Sequence, residues 1–235
     1  MLPGRACQTH PGMELLAQGR DCDIFDLGDG SVLRRSREGH DQSKEARLLD
    51  HAAAHGYPVP TVHDLRNDGR DLVMQKLEGP NMAGALEKRP WKAGEMGRML
   101  AELHAGVHQL PPLDDLPRLP EGDALLHFDL HPLNVVMSPT GPVVIDWSNA
   151  CIGRPGDDVA RAWALMACGD VDVSPLLRLG LSRVRRSLVH GFVDGAGREE
   201  ARASLRFAVE LTLLDPHISP SEQARMRDLV EAEAA

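Results

Sequence analysis

Residues 127–147 read HFDLHPLNVVMSPTGPVVIDW, with Asp129, Asn134 and Asp146 set among the apolar runs VVM and PVVI. The turn-forming PTG between two short β-branched segments predicts a hairpin, with strands over 135–138 and 142–147. In a hairpin the start of one strand lies beside the end of the other, so Asn134 and Asp146 can approach each other at its open end. Two oxygen donors there suit Mg²⁺, a hard cation that takes one or two protein oxygens together with waters and substrate phosphates. Asp129, just upstream, is placed to accept a proton from an attacking hydroxyl. Extended geometry over 127–131 puts His127, Asp129 and His131 on one side, before Pro132 breaks the ladder.

Before this stretch the chain has two textures. Residues 1–12 lack periodicity and predict a flexible leader. From Met13, MELLAQG, CDIFDLGDG and SVLRRS are short runs divided by Gly-containing turns, and the Asp-Gly of LGDGS suits a primed hairpin turn. Three antiparallel strands are expected. In HDQSKEARLLDHAAAHGYPVP, Ala46, Leu49 and Ala53 recur at helical spacing, Gly56 suits the C-terminal cap and Pro58 blocks continuation. TVHDLR and DLVMQKL flank the turn NDGR as a further hairpin. After EGPN the β signals almost stop: a helix is expected from about Trp91 to His108, a Pro-rich linker follows, and from about Asp157 the pattern is helical. The predicted fold class is α+β with two lobes. Residues 13–77 form a small antiparallel sheet with one helix, residues 78–235 a mostly helical lobe, and a ligand cleft lies between them.

Composition narrows the partners. The formal charge of −9 over 235 residues argues against a nucleic-acid backbone as ligand, because phosphate binding needs clustered Lys and Arg and the largest local group is Arg34, Arg35 and Arg37. Cys7, Cys22, Cys151 and Cys168 lie far apart with no CxxC pair, which fits a reducing compartment. No stretch approaches the ~20 apolar residues of a membrane span. A cytoplasmic monomer or weak dimer, bound neither to membrane nor to nucleic acid, is expected.

HFDLHPLNVVM followed by VVIDW resembles the aminoglycoside phosphotransferase and choline kinase family of the protein-kinase-like fold, whose signature runs HxDLHxxN, a short hairpin, then IDW or IDF. The resemblance includes the spacing, five positions from Asp129 to Asn134 and twelve from Asn134 to Asp146. It implies that Asp129 is the catalytic base, that Asn134 and Asp146 hold Mg²⁺, and that His127 supports the loop. GRPGDDVA at 153–160 is similar to the family's GxPxxDLA segment, so Asp158 is implied to brace the catalytic loop. The implied reaction moves the γ-phosphoryl group of ATP or GTP to a hydroxyl of a small molecule.

The same resemblance assigns nucleotide contacts in the first third. Gly19 belongs to the loop over the phosphates. Arg34 or Arg35 replaces the family's lysine on the third strand, with Arg34 preferred because it shares a strand face with Val32. Glu45, three and four positions before Leu48 and Leu49, orients that cation. Main-chain groups of Gln75 and Leu77 meet the adenine edge. Phe128 and Leu133 stand where the family often has glycine and narrow the acceptor side.

Two other readings compete. A nucleotide-binding pseudokinase is favoured by Arg34 in place of lysine. An HxDxH metal-dependent hydrolase would use zinc or iron on His127, Asp129 and His131, with a second ligand set among His104, His108, His190 and His217.

Overall fold

The computed structural model describes residues 13–19, 22–170 and 175–234, so the predicted leader at 1–12 lies outside the described residues. The chain divides into two compact units, Met1–Leu77 and Glu78–Ala235.

The first unit is a five-stranded antiparallel sheet with one helix. Its elements are β1 (Glu14–Gln18), β2 (Cys22–Asp26), β3 (Ser31–Ser36), α1 (Ser43–Ala54), β4 (Val62–Arg66) and β5 (Asp71–Gln75), and the spatial order is β1-β2-β3-β5-β4. The turn signals act as expected. Gly28 and Gly30 have positive φ between β2 and β3, and Asn67, Asp68 and Gly69 all have positive φ between β4 and β5, a backbone that Asn, Asp and Gly tolerate best. Phe25, Leu33 and Val73 form a buried cluster on the sheet. Helix α1 buries Glu45, Ala46, Leu48, Leu49 and Ala52 on one side. Its start is tied down by Gln42, whose amide nitrogen donates to the carbonyls of Arg34 (3.1 Å) and Arg70 (2.7 Å).

The second unit contains α2 (Met82–Lys88), α3 (Ala93–His108), β6 (Ala124–Leu126), β7 (Val135–Ser138), β8 (Gly141–Val144), β9 (Cys151–Gly153), α4 (Pro155–Cys168), α5 (Pro175–Ala196), α6 (Arg198–Thr212) and α7 (Pro220–Ala234). Strands β7 and β8 pair from Val135↔Val144 to Ser138↔Gly141. The predicted second strand, 142–147, therefore stops early, because the chain leaves extended geometry before Asp146, whose φ is +64°. The exposed edge of β7 is met by the connector: the Met137 N–H donates to the Pro80 carbonyl at 2.8 Å, and Asn81 bridges to Val136.

Two features here had no forecast. Asn81 caps the short helix α2 by accepting the Gly84 N–H at 2.8 Å. Strands β6 and β9 form an antiparallel pair from Ala124↔Gly153 to Leu126↔Cys151. That pair sets the entry and exit of the whole 127–150 segment side by side.

Helices α3 and α5 cross with almost no side chain between them. A Cβ added to Gly97 would lie 2.2 Å from the Leu188 carbonyl oxygen, and one added to Gly191 would lie 2.4 Å from that of Gly94. Only glycine permits that approach. It seats α3 with its other buried positions, Leu100, Leu103, His104 and Val107, against the rest of the unit.

Candidate active site

The loop from His127 to Asn134 is not extended. Phe128 has φ +61°, a left-handed backbone that a bulky residue holds only when its surroundings enforce it. The enforcing group is Asp158, in the first turn of α4. Its Oδ1 accepts the Phe128 N–H at 2.9 Å and its Oδ2 accepts the His127 N–H at 3.2 Å. Oδ2 also accepts from His108 Nε2 at 3.0 Å. His104 Nδ1 lies 3.4 Å from the same oxygen without hydrogen-bond alignment, while His104 Nε2 donates to the Leu130 carbonyl at 3.0 Å. Burial alone pushes the Asp158 carboxyl up, yet the two histidine rings hold it well below the ordinary carboxylate range. Helices α3 and α4 thus grip the loop by its backbone.

His127 is fully buried. Its Nε2–H donates to the Ile145 carbonyl at 3.1 Å and its Nδ1 accepts the Asp129 N–H at 3.3 Å. Burial pushes its pKa down to about 4, so the ring is neutral in a single tautomer. Its ring centroid stands 4.8 Å from that of Trp147. With both nitrogens bound to backbone, His127 has no lone pair for a metal, and the HxDxH hydrolase reading loses its first ligand. His104, His108 and Asp158 do place possible ligand atoms within 4.8 Å of one another, but Asp158 is committed to the two loop N–H groups.

Asp129 faces Asn134 and His131. Asn134 Nδ2 donates to the Asp129 carbonyl oxygen at 2.9 Å and to its Oδ2 at 3.2 Å. His131 Nε2 lies 3.7 Å from Asp129 Oδ1, and His131 Nδ1 accepts the Leu133 N–H at 3.3 Å. Burial raises the Asp129 carboxyl and the nearby Asp146 adds to this, whereas His131, Arg161 and the Asn134 hydrogen bond pull it down. Burial pushes His131 down, against the opposing pull of the Asp129 and Asp146 charges.

The contact of His127, Asp129 and His131 comes from the left-handed turn at Phe128, not from the extended alternation expected. Asn134 ends a 3₁₀ turn, Pro132–Asn134, and Asp146 lies two positions beyond β8. The Ile145 N–H donates to the Asn134 carbonyl at 3.0 Å and so carries the hairpin contact to its mouth. Asp146 Oδ1 accepts the Ser148 hydroxyl at 2.7 Å. Because the Asn134 amide nitrogen serves Asp129, its Oδ1 is the atom turned to other uses. An amide oxygen and a carboxylate of this kind fit a hard divalent cation such as Mg²⁺.

In the first unit Arg34 Nη1 pairs with Glu45 Oε2, and both side chains are largely buried. Arg35 instead forms a two-pronged pair with its cross-strand partner Asp71, Nε to Oδ1 and Nη2 to Oδ2, each at 2.8 Å. Gly19 donates its N–H to the Cys22 carbonyl at 2.8 Å, and a Cβ there would lie 2.9 Å from that oxygen. The Gln75 N–H donates to the Thr61 carbonyl at 2.8 Å, so that donor belongs to the sheet. Leu77 follows at the end of the unit. Phe128 is buried and Leu133 is 57% exposed.

A family description, phosphotransferase enzyme family, matches residues 13–124 and 113–207. The chain belongs to this family. No curated protein sequence matches it.

Solved structures of phosphotransferases share the fold at low identity. A thermostable mutant of aminoglycoside phosphotransferase APH(4)-Ia in apo form is 17% identical, with a TM-score of 0.62 over 95% of each chain. The gentamicin complex of APH(2″)-IIa is 14% identical, with a TM-score of 0.62 over 94% of this chain and 90% of that one. A choline/ethanolamine kinase family protein from Mesorhizobium loti is 14% identical, with a TM-score of 0.59 over 94% and 87%. The kinase-like fold class read from the HxDLHxxN and IDW motifs is the one these phosphotransferases have. No helix among the described residues is long and apolar enough to cross a membrane.

Two residues of this site were not foreseen. In the sequence His108 stands out only as one of four histidines that could supply further metal ligands. Arg161 carries no sequence signal beyond being one charge in a helix.

Proposed function

We propose that the chain is a Mg²⁺-dependent phosphotransferase that moves the γ-phosphoryl group of ATP or GTP to a hydroxyl of a small molecule. The observation that supports this most is the Asn134 amide, whose nitrogen binds both the carbonyl and the carboxylate of Asp129 and whose oxygen is left for a cation. One side chain thereby couples the base to the metal position.

In this reading Asp129 receives the proton of the acceptor hydroxyl as the new O–P bond forms and the bond between the γ-phosphorus and the bridging oxygen of the nucleoside diphosphate breaks. Burial and Asp146 raise the affinity of the Asp129 carboxyl for that proton, and His131 and Arg161 oppose that rise. Asn134 and Asp146 would hold Mg²⁺, which when bound offsets negative charge on the phosphate oxygens. Asp158 and His127 keep the loop backbone in the one conformation that aims Asp129. In the first unit, Arg34 held by Glu45 serves the nucleotide phosphates, with Gly19 in the loop above them and Gln75 and Leu77 at the adenine. Arg forks toward phosphate as lysine does not, so binding persists with altered geometry.

The test is an ATP-consumption screen over hydroxyl acceptors, with and without Mg²⁺. Asp129→Ala is expected to lower kcat by about 10²–10⁴-fold, the usual contribution of a general base, with nucleotide binding nearly intact. Asp146→Ala is expected to weaken binding of the Mg²⁺-nucleotide as well. Full phosphotransfer by Asp129→Ala would overturn the base assignment.

A further inference from the structure

Arg161 lies on α4 one turn after Asp157 and Asp158, and it is partly buried. Its guanidinium stands over the Phe128 ring, 4.8 Å from the centroid, a favourable cation–π placement. Its Nη1 donates to the Thr212 hydroxyl at 3.4 Å. That hydroxyl gives its own proton to the Ala208 carbonyl at 2.8 Å, so a lone pair faces Arg161. The Phe128 ring and Thr212 therefore aim the guanidinium, while its Nε is buried without a hydrogen-bond partner. Among the described residues no carboxylate forms an ion pair with Arg161. Phe128 is the residue before Asp129, so the guanidinium stands beside the loop that carries Asp129. A partly buried guanidinium with no direct ion pair keeps hydrogen-bonding capacity that an incoming anion can use.

The acidic groups beside this region point the same way. Arg154 binds both oxygens of Asp157, Nη2 to Oδ1 at 3.0 Å and Nε to Oδ2 at 3.3 Å, and its Nη1 binds Glu121 at 3.0 Å. Asp158 is committed to the loop, and Asp129 and Asp146 have roles in the reaction proposed above. An acceptor carrying several ammonium groups needs uncommitted carboxylates, and these five are engaged. An acceptor with one negative group near its reacting hydroxyl would instead give Arg161 a direct ion pair.

We infer that Arg161 selects an acceptor bearing an anionic group, a carboxylate or a phosphomonoester, close to the hydroxyl that is phosphorylated; this rests on the phosphotransferase reading above. Arg161 is a specificity-determining residue on the acceptor side. The guanidinium fork suits either oxyanion.

The test measures phosphotransfer from MgATP by the full chain to four acceptors on one skeleton: glycerate, glycerol 3-phosphate, glycerol and 3-aminopropane-1,2-diol. Larger acceptors of the same charge classes, namely sugar acids, sugar phosphates, neutral sugars and aminoglycosides, are assayed beside them. The expected result is kcat/KM higher for anionic acceptors than for neutral or cationic partners of the same skeleton. In Arg161→Met the anionic-to-neutral ratio is expected to fall by about tenfold or more, the scale of one charge-assisted contact. Arg161→Lys is expected to restore part of the ratio, and thermal melts establish that both variants fold. Glycerate against glycerol 3-phosphate separates carboxylate from phosphate recognition. Preference for a cationic acceptor, or an unchanged ratio in Arg161→Met, overturns the inference and leaves the phosphotransferase reading standing. Binding of MgATP with no acceptor of any class phosphorylated overturns that reading itself.

Discussion

In the first unit Arg34 meets Glu45 and Arg35 meets Asp71, side chain to side chain across neighbouring elements; in the second, Asp158 meets two successive backbone N–H groups and two histidines. The partners decide what each arrangement can do. A side-chain pair fixes where two flexible groups lie, and water can replace either member at the exposed edge of Arg35. A carboxylate that is 1% exposed and binds consecutive N–H groups dictates backbone dihedrals. That is how Phe128 is kept left-handed and how Asp129, one residue on, is aimed without any direct contact to Asp158. The first arrangement positions a charge, and the second positions a stretch of chain.

The sharpest way to break this contrast is Asp158→Ala. It leaves the N–H groups of His127 and Phe128 and the His108 ring without their acceptor inside the protein. The expected loss of stability is about 3–5 kcal/mol, read from urea denaturation, with turnover falling in any protein that remains folded. A loss below about 1 kcal/mol would mean that the loop holds its shape without the carboxylate.

A smaller effect comes from acid and separates His127 from Asp158. The folded pKa of His127 is depressed to about 4 from its ordinary 6.5. The unfolded chain therefore binds the extra proton in that window, and stability that is fully present above pH 6.5 is lost as the pH falls toward 4. At 1.36 kcal/mol per pKa unit the loss is about 3 kcal/mol at most. Asp158, whose folded pKa is depressed below 3.8, loses its contribution only at lower pH. Urea unfolding at a series of pH values should show the first slope in the natural protein and a flatter one in His127→Asn.

The smallest effect is expected in the first unit. Arg34→Met removes a cation from a pair that is only 14% and 9% exposed, and should raise the KM for nucleotide about tenfold, the scale of one charge-assisted contact. The unfolding midpoint should move less than in Asp158→Ala. If Arg35→Met raised the KM more than Arg34→Met, the assignment of the phosphate-facing arginine would be reversed.

The parts of this molecule that were legible in its sequence are those in which local chemistry dictates conformation. LGDGS and NDGR announce their hairpins because Gly, Asn and Asp relax positive-φ turns. The HFDLHPLN and VVIDW segments stood out because charged residues at fixed spacing interrupt apolar runs. Strands β6 and β9 escaped because each has only three residues and its partner is far away in the chain. Phe128 gave no sign of its left-handed backbone, since that conformation is imposed by Asp158 from a distant helix. Arg161 was invisible for the opposite reason: a lone arginine between Ala160 and Ala162 looks like any solvated helix charge, and only tertiary packing puts it over Phe128.

The glycine contact between α3 and α5 sets a lower limit on how much chain can make a working loop. Gly97 and Gly94 turn bare backbone toward Gly191 and Leu188, and His104 and His108 sit on the same helix further along. A fragment ending after α4 would contain every residue of the HxDLHxxN and IDW segments yet leave that strip of α3 open to water. The helix that steadies Asp158 would then lack its own support. The HxDLHxxN and IDW segments are thus local in sequence, but the smallest stable body that can present them extends through α5.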